Sequence, residues 1–211
     1  MLLETVTLLF LGNSHTNANN LPGMVKALLE SDGTGRNAVV EHRMAGFLED
    51  FGTQKLGYPI IQSRKWTGII LQGLKMSSSH KYEYDHTGAV QIARFAKQHA
   101  DQVLFFAEWR RNGWDETEWI VNQYRPLSTA CDIPIAPVGR IWDLALKEQP
   151  KLPLWLSDGN HATEQGSYLA ALGLYYKLFG GEGKPTWRAS TVSPQWAVKA
   201  DQWARSVILK N

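Results

Sequence analysis

Two short clusters hold the residue types that acyl-transfer chemistry needs. Near the start of the chain, Gly12-Asn13-Ser14 follows the apolar run Thr5 to Leu11. A serine there stands on a turn at the end of a buried strand, and Gly12 lets the backbone turn tightly. Further on, Asp158-Gly159-Asn160-His161 precedes a strongly apolar helical pattern. Serine attacks an acyl carbon only when a base takes its proton and a third group fixes the base's tautomer. Asp158 and His161 are three residues apart on a glycine-containing turn. They can bring carboxylate and imidazole together without recruiting another element. The catalytic expectation is therefore Ser14 as nucleophile, His161 as base and Asp158 as orienter.

The remaining histidines fit that chemistry less well. His15 adjoins Ser14, and neighbouring side chains rarely aim at each other. His42 falls inside a strand and His99 late in a helix, so both read as structural. His80 and His86 flank a polar loop and are expected to be solvated. A metal-dependent hydrolase built on His15, His80 and His86 is the weakest reading, because they lack a recognisable ligand spacing. No cofactor motif is visible. Cys131, the single cysteine, precedes the apolar run Ile133 to Val138 and reads as a buried structural thiol.

Short apolar runs alternate with helical patterns along the chain. Strands are expected at Thr5 to Leu11, Ala38 to Met44, Thr67 to Leu71, Gln102 to Ala107 and Pro134 to Val138. Helices are expected from Leu21 to Leu29, Asp85 to Ala100, Asp115 to Thr129, Arg140 to Lys147, Thr163 to Phe179 and Pro194 to Leu209. Asp115, with Glu118 three residues on, resembles a capping box, and Pro126 is expected to end or kink that helix early. Phe47 to Arg64 is ambiguous, either a helix broken at Tyr58-Pro59 or partly loop. The alternation implies βαβ units and a mainly parallel sheet of about five strands covered on both faces, a three-layer α/β/α fold. Ligands in such sheets bind at the carboxyl ends of the strands. Ser14, Gly46, Gln72 and Trp109 each follow the end of a strand.

The bulk composition sets limits. At 211 residues the chain fits one domain, spanning 1–211, large enough to bury a core without staples. A net charge of +2, with no basic run, gives no reason to expect a nucleic-acid partner. No apolar stretch approaches the ~20 residues that span a bilayer. The segment Met1 to Leu11 lacks a basic start and reads as a strand rather than a signal peptide. With one cysteine, the expected compartment is cytoplasmic. Oligomeric state is not legible. Of nine tryptophans, Trp66, Trp142, Trp155 and Trp203 read as packing residues, whereas Trp109 and Trp114 fall where a strand ends and a loop begins and read either as pocket lining or as packing.

Leu11-Gly12-Asn13-Ser14 and Asp158-Gly159-Asn160-His161 resemble the first and last blocks of the SGNH (GDSL-type) hydrolase superfamily. Pro137-Val138-Gly139-Arg140-Ile141-Trp142 and the run from His161 through Ala171 resemble a poorly characterised bacterial subgroup of it. The resemblance extends from residue 6 to about 180. It implies a flavodoxin-like α/β/α fold, a Ser-His-Asp triad and an oxyanion hole with three donors. Ser14 N–H matches the first donor and a glycine after strand two, Gly46, the second. The third, an asparagine after strand three, is missing, since the position near Lys75 is not an amide. Gln72 is expected to substitute for it, with Ser77 to Ser79 as fallbacks. A lost donor costs ~2.7–4 kcal/mol of transition-state stabilisation. Asn13 replaces the aspartate of the first block, and Ala162 stands where many relatives carry proline. The Gly-x-Ser-x-Gly elbow of α/β-hydrolases is absent.

Two functions follow. One is a serine esterase or acyl hydrolase acting on a small ester, such as an O-acetylated carbohydrate. The other is a catalytically weak or inactive binding module on the same scaffold, for carbohydrate or another small molecule, with Trp109 and Trp114 as its contacts.

Overall fold

The computed structural model describes residues 5–210. Met1 to Glu4, the start of the segment expected to form the first strand, lie outside the described residues. Five strands form one sheet: β1 (Thr5–Gly12), β2 (Asn37–Met44), β3 (Trp66–Gln72), β4 (Ala100–Ala107) and β5 (Ile135–Pro137). Their order is β2-β1-β3-β4-β5, and every neighbouring pair is parallel. Parallel strands need crossovers, and their helices cover both faces of the sheet.

Alternation along each strand divides the core into two halves. Leu8 and Phe10 of β1, with Ile70, Leu104 and Phe106, face one layer of helices. That layer holds α2 (Leu21–Glu30), α7 (Val138–Glu148), α8 (Glu164–Phe179) and α9 (Pro194–Ile208). Leu9 and Leu11, with Ile69, Leu71 and Phe105, face the other. There stand α3 (Leu48–Thr53), α4 (Tyr58–Ile61), α5 (Thr87–Lys97) and α6 (Thr117–Cys131). A side-chain period of two sends successive apolar residues to opposite faces, so an unbroken apolar strand fits a sheet covered twice. The architecture is the expected three-layer α/β/α.

Several local expectations change. The stretch Phe47 to Arg64 forms two short helices, α3 and α4, with Pro59 in the first turn of the second. Helix α6 starts two residues later than expected, and no side chain caps it. Glu116 precedes its first residue and turns its carboxylate to Arg111 and His80 instead. Pro126 lies inside α6, which continues to Cys131. Tyr124, Leu127 and Cys131 on that helix are buried against the sheet, and this packing outweighs the one backbone bond that a proline removes. Cys131 is buried, and burial pushes its thiol pKa up.

Candidate active site

Strand β1 ends on Gly12, and Ser14 opens the one-turn helix α1 (Ser14–Asn17). Asn13 caps that turn: its backbone is extended, and its Oδ1 accepts the His15 N–H at 3.0 Å. Gly12 is required by close packing. A Cβ there would come within 2.3 Å of Thr16 Oγ1 and 2.8 Å of Gln72 Oε1. The nucleophile turn therefore sits directly on the end of β3.

The Asp158–His161 turn is a small hairpin. Trp155 and Ala162 form an antiparallel bridge, and Leu156 N–H donates to the His161 carbonyl at 2.8 Å. Gly159 takes φ +68°, a left-handed conformation that favours glycine. Asp158 Oδ1 accepts the N–H groups of Asn160 and His161, both at 2.9 Å. Its Oδ2 lies 2.6 Å from His161 Nδ1. The Asn160 N–H first, then the imidazole and the His161 N–H, hold the Asp158 carboxyl down at about 2. A carboxylate there keeps Nδ1–H as the donor, which leaves Nε2 free to accept. His161 Nε2 is 2.8 Å from Ser14 Oγ, a chain separation of 147 residues.

Three contacts outside the sequence expectation hold the hairpin beside Ser14. Asn19, in a left-handed conformation at φ 55°, donates its amide to the Ala162 carbonyl and to Ser167 Oγ, both at 2.9 Å. This ties the segment after Ser14 to the residue after His161. Trp109 Nε1–H donates to the Asn160 carbonyl at 2.9 Å, and Asn112 N–H to the Gly159 carbonyl at 2.8 Å. Asparagine tolerates left-handed backbone better than most residues, the one sequence signal that Asn19 carried.

His15 packs behind the base. Its ring is stacked on His161 with centroids 5.2 Å apart and meets Trp109 edge-on at 5.1 Å. Burial, and then the neighbouring His161, pushes its pKa down to about 4. A neutral ring at that place adds no charge against the imidazolium that forms on His161. His80 and His86 are less solvated than expected. His80 pairs with Glu116 at 3.0 Å and stacks on Trp119 at 3.9 Å, and His86 pairs with Glu49 at 2.5 Å. The two histidines pin the loop between β3 and α5 to the body of the protein. Among the described residues no group of histidine, cysteine and acidic side chains is arranged to hold a metal ion.

On the oxyanion side, Gly46 follows β2, and Leu48 N–H donates to the Gly73 carbonyl at 2.8 Å, latching the loop after β2 to the loop after β3. Among the described residues, neither the Ser14 nor the Gly46 N–H donates to a protein acceptor. Gln72 does not reach the opening. It is fully buried, and its Oε1 accepts the Asn13 N–H at 3.0 Å and the Thr16 hydroxyl at 2.8 Å. Its Nε2 is buried short of a full hydrogen bond, turned to the Glu108 carboxyl. Gln72 thus supports the nucleophile turn from beneath, and the expectation that it donates to an oxyanion fails for lack of access. Ser77 and Ser79 hydrogen-bond each other at 3.1 Å.

A cavity of about 290 Å³ opens beside Asn13, His15, Trp109 and Asn160. Phe47, Leu74, Met76 and Ile120 supply apolar wall. Glu108 lines it as well, buried to 6% exposure, and Tyr124 donates its hydroxyl to Oε2 at 2.9 Å. Burial pushes the Glu108 carboxyl up to about 7. Arg111 neutralises Glu116 through Nε and Nη2 at 2.9 and 2.7 Å. Trp109 reaches the cavity wall, but its ring is stacked on Trp142 at 4.5 Å and is 3% exposed. Trp114 is 51% exposed, carries the Arg111 guanidinium over its face at 4.2 Å, and stands outside the cavity lining. Neither tryptophan presents a free aromatic face to the cavity.

This arrangement belongs to a flavodoxin-like α/β/α fold with a polar cluster at the carboxyl edge of the sheet. More narrowly, the chain has the SGNH hydrolase fold. No family profile and no curated protein matches it. Among solved structures it is similar to a DUF4886 family protein from Bacteroides uniformis, with a TM-score of 0.73 and 16% identity over 98% of this chain and 95% of that one. A protein from Slackia heliotrinireducens classed with the SGNH hydrolases gives 0.62 and 21% over 82% and 98%. An acetylxylan esterase from Geobacillus stearothermophilus gives 0.62 and 13% over 86% and 98%. At these identities the likeness is one of fold.

Proposed function

We propose that the protein is a serine ester hydrolase with Ser14, His161 and Asp158 as its triad. The observation that carries the reading is the continuous hydrogen-bonded line from Ser14 Oγ to His161 Nε2 at 2.8 Å and from His161 Nδ1 to Asp158 Oδ2 at 2.6 Å. Such a line has no structural need to open on solvent, yet Ser14 and Asp158 are both exposed. Ser14 Oγ attacks the acyl carbon while His161 Nε2 takes its proton. The carbonyl oxygen becomes an oxyanion facing the unspent N–H groups of Ser14 and Gly46. The imidazolium then protonates the leaving alcohol oxygen as the ester C–O bond breaks. Water attacks the acyl-Ser14 with His161 as base, the carboxylic acid leaves, and Ser14 regains its proton.

The cavity suits a compact, uncharged substrate. Its Glu116 charge is spent on Arg111 and His80, and its lining alternates polar and apolar groups. An acetyl ester of a hydroxyl-rich alcohol, such as an O-acetylated sugar, fits that balance better than a long acyl chain. The test is labelling with a fluorophosphonate together with turnover of acetyl and long-chain aryl esters. Ser14→Ala is expected to lose labelling and on the order of 10⁶-fold in kcat. Retained turnover in that variant rules the assignment out, and faster hydrolysis of long-chain than of acetyl esters rules out the substrate class.

A further inference from the structure

The active site has two backbone oxyanion donors and no asparagine after β3. We infer that the third donor is the side-chain amide of Asn13, the residue just before the nucleophile. The inference rests on the serine-hydrolase reading above.

Three observations carry it. First, Asn13 spends only half of its side chain on structure. Oδ1 accepts the His15 N–H, whereas Nδ2 has no acceptor among the described residues. Second, Asn13, the chain neighbour of Ser14, lines the cavity that a substrate would enter. Third, the opposing residue is Gly73, at φ +96°. A Cβ built there would stand 2.9 Å from Asn13 Nδ2 and 3.7 Å from the Gly46 carbonyl oxygen. The Asn13 amide therefore stands over Gly73, with the Gly46 carbonyl oxygen at its edge, at the ends of the neighbouring strands β2, β1 and β3. A side chain at position 73 would close it.

The Asn13 backbone is also held from behind. Its backbone N–H is fixed to the buried Gln72 Oε1, and Gly73 N–H and Leu74 N–H donate to the Tyr124 hydroxyl oxygen at 3.2 and 3.4 Å. Tyr124 in turn donates to Glu108. Fixed donors aimed at developing charge need no reorganisation as the reaction proceeds, which is what makes an oxyanion donor effective. The nucleophile segment thus supplies both Ser14 N–H and the amide beside it.

The test compares wild type, Ser14→Ala, Asn13→Asp and Asn13→Ala on one aryl acetate. Asn13→Asp keeps the Oδ1 cap on His15 and removes the NH₂ donor. Asn13→Ala removes donor and cap without adding charge. Both are expected to lower kcat about 100- to 1,000-fold with KM within about threefold, the size of one lost oxyanion donor. Asn13→Asp should keep the wild-type thermal midpoint. Affinity for a trifluoromethyl ketone transition-state mimic should fall in parallel with kcat, which a purely structural cap would not produce. A kcat within threefold of wild type in Asn13→Ala overturns the inference, as does a loss confined to Asn13→Asp, which would report only a repelling carboxylate. Wild-type turnover that Ser14→Ala does not reduce overturns the underlying hydrolase reading instead.

Discussion

On one side of Ser14, Asp158 and His161 stand three residues apart on a solvent-facing hairpin. On the other, Gln72, Glu108 and Tyr124 come from β3, the end of β4 and α6, and all three are buried. The exposed pair is pre-assembled by its own turn, since Asp158 receives two backbone N–H groups within three residues. The buried trio has no local logic. Its polar atoms pay for burial only by finding one another across the fold, because an unpaired buried polar group costs about 1–3 kcal/mol. Reactive groups can sit on a short, water-accessible turn, but the platform that fixes the oxyanion space has to be rigid, and rigidity comes from burial.

Substitutions on each side should separate these roles. Asp158→Asn has the largest expected effect. It leaves the shape intact and removes the charge that selects the His161 tautomer, so kcat should fall about 10⁴-fold. Because Asp158 is exposed, the denaturation midpoint should stay close to wild type; a large loss of stability would mean that the hairpin is structural.

Glu108→Gln should act on stability and its pH dependence. Below about pH 4.5, Glu108 is protonated in the folded and unfolded chains alike. As pH rises from there to about 7, the unfolded chain ionises while the folded one keeps its proton, so stability falls across that window and is level above it. The expected loss from this group is about 3 kcal/mol. Glu108→Gln keeps an acceptor for Tyr124 and has nothing to titrate. Denaturant melts at pH 4.5 and 8 should therefore show a smaller difference in the variant than in wild type, and an equal difference would place the titration elsewhere.

The smallest effect is expected from Trp114→Ala. It removes an exposed ring and its contact with Arg111, outside the cavity, so kcat/KM should stay within about twofold and stability within about 0.5–1 kcal/mol. A large rise in KM would extend the substrate site to the rim.

The exposed side was the readable one. Glycine, aspartate and asparagine before a helix announce a turn, and two residues on one turn meet by geometry alone. The fold class was equally readable, because strands covered on both faces become continuous apolar runs such as Leu8 to Leu11. Pro126 and the Asp115–Glu118 capping pattern misled for a shared reason, namely that a local rule for helix ends lost to tertiary contacts. Gln72 misled because an amide at a strand end looks the same in sequence whether it points outward or inward. His15 was set aside on its adjacency to Ser14, yet its ring packs against His161 from a different segment.

By itself, the sequence determined the order of elements, the parallel sheet and the two clusters of reactive residue types, all set by periodicity and turn chemistry within a dozen residues. Only the tertiary structure decided how those clusters are held. It brought Ser14 to His161 across 147 positions, tied them through Asn19 and Ala162, turned Gln72 inward and set the Asn13 amide over Gly73. Those outcomes depend on which polar atoms find partners after the core has closed, and no local pattern records that.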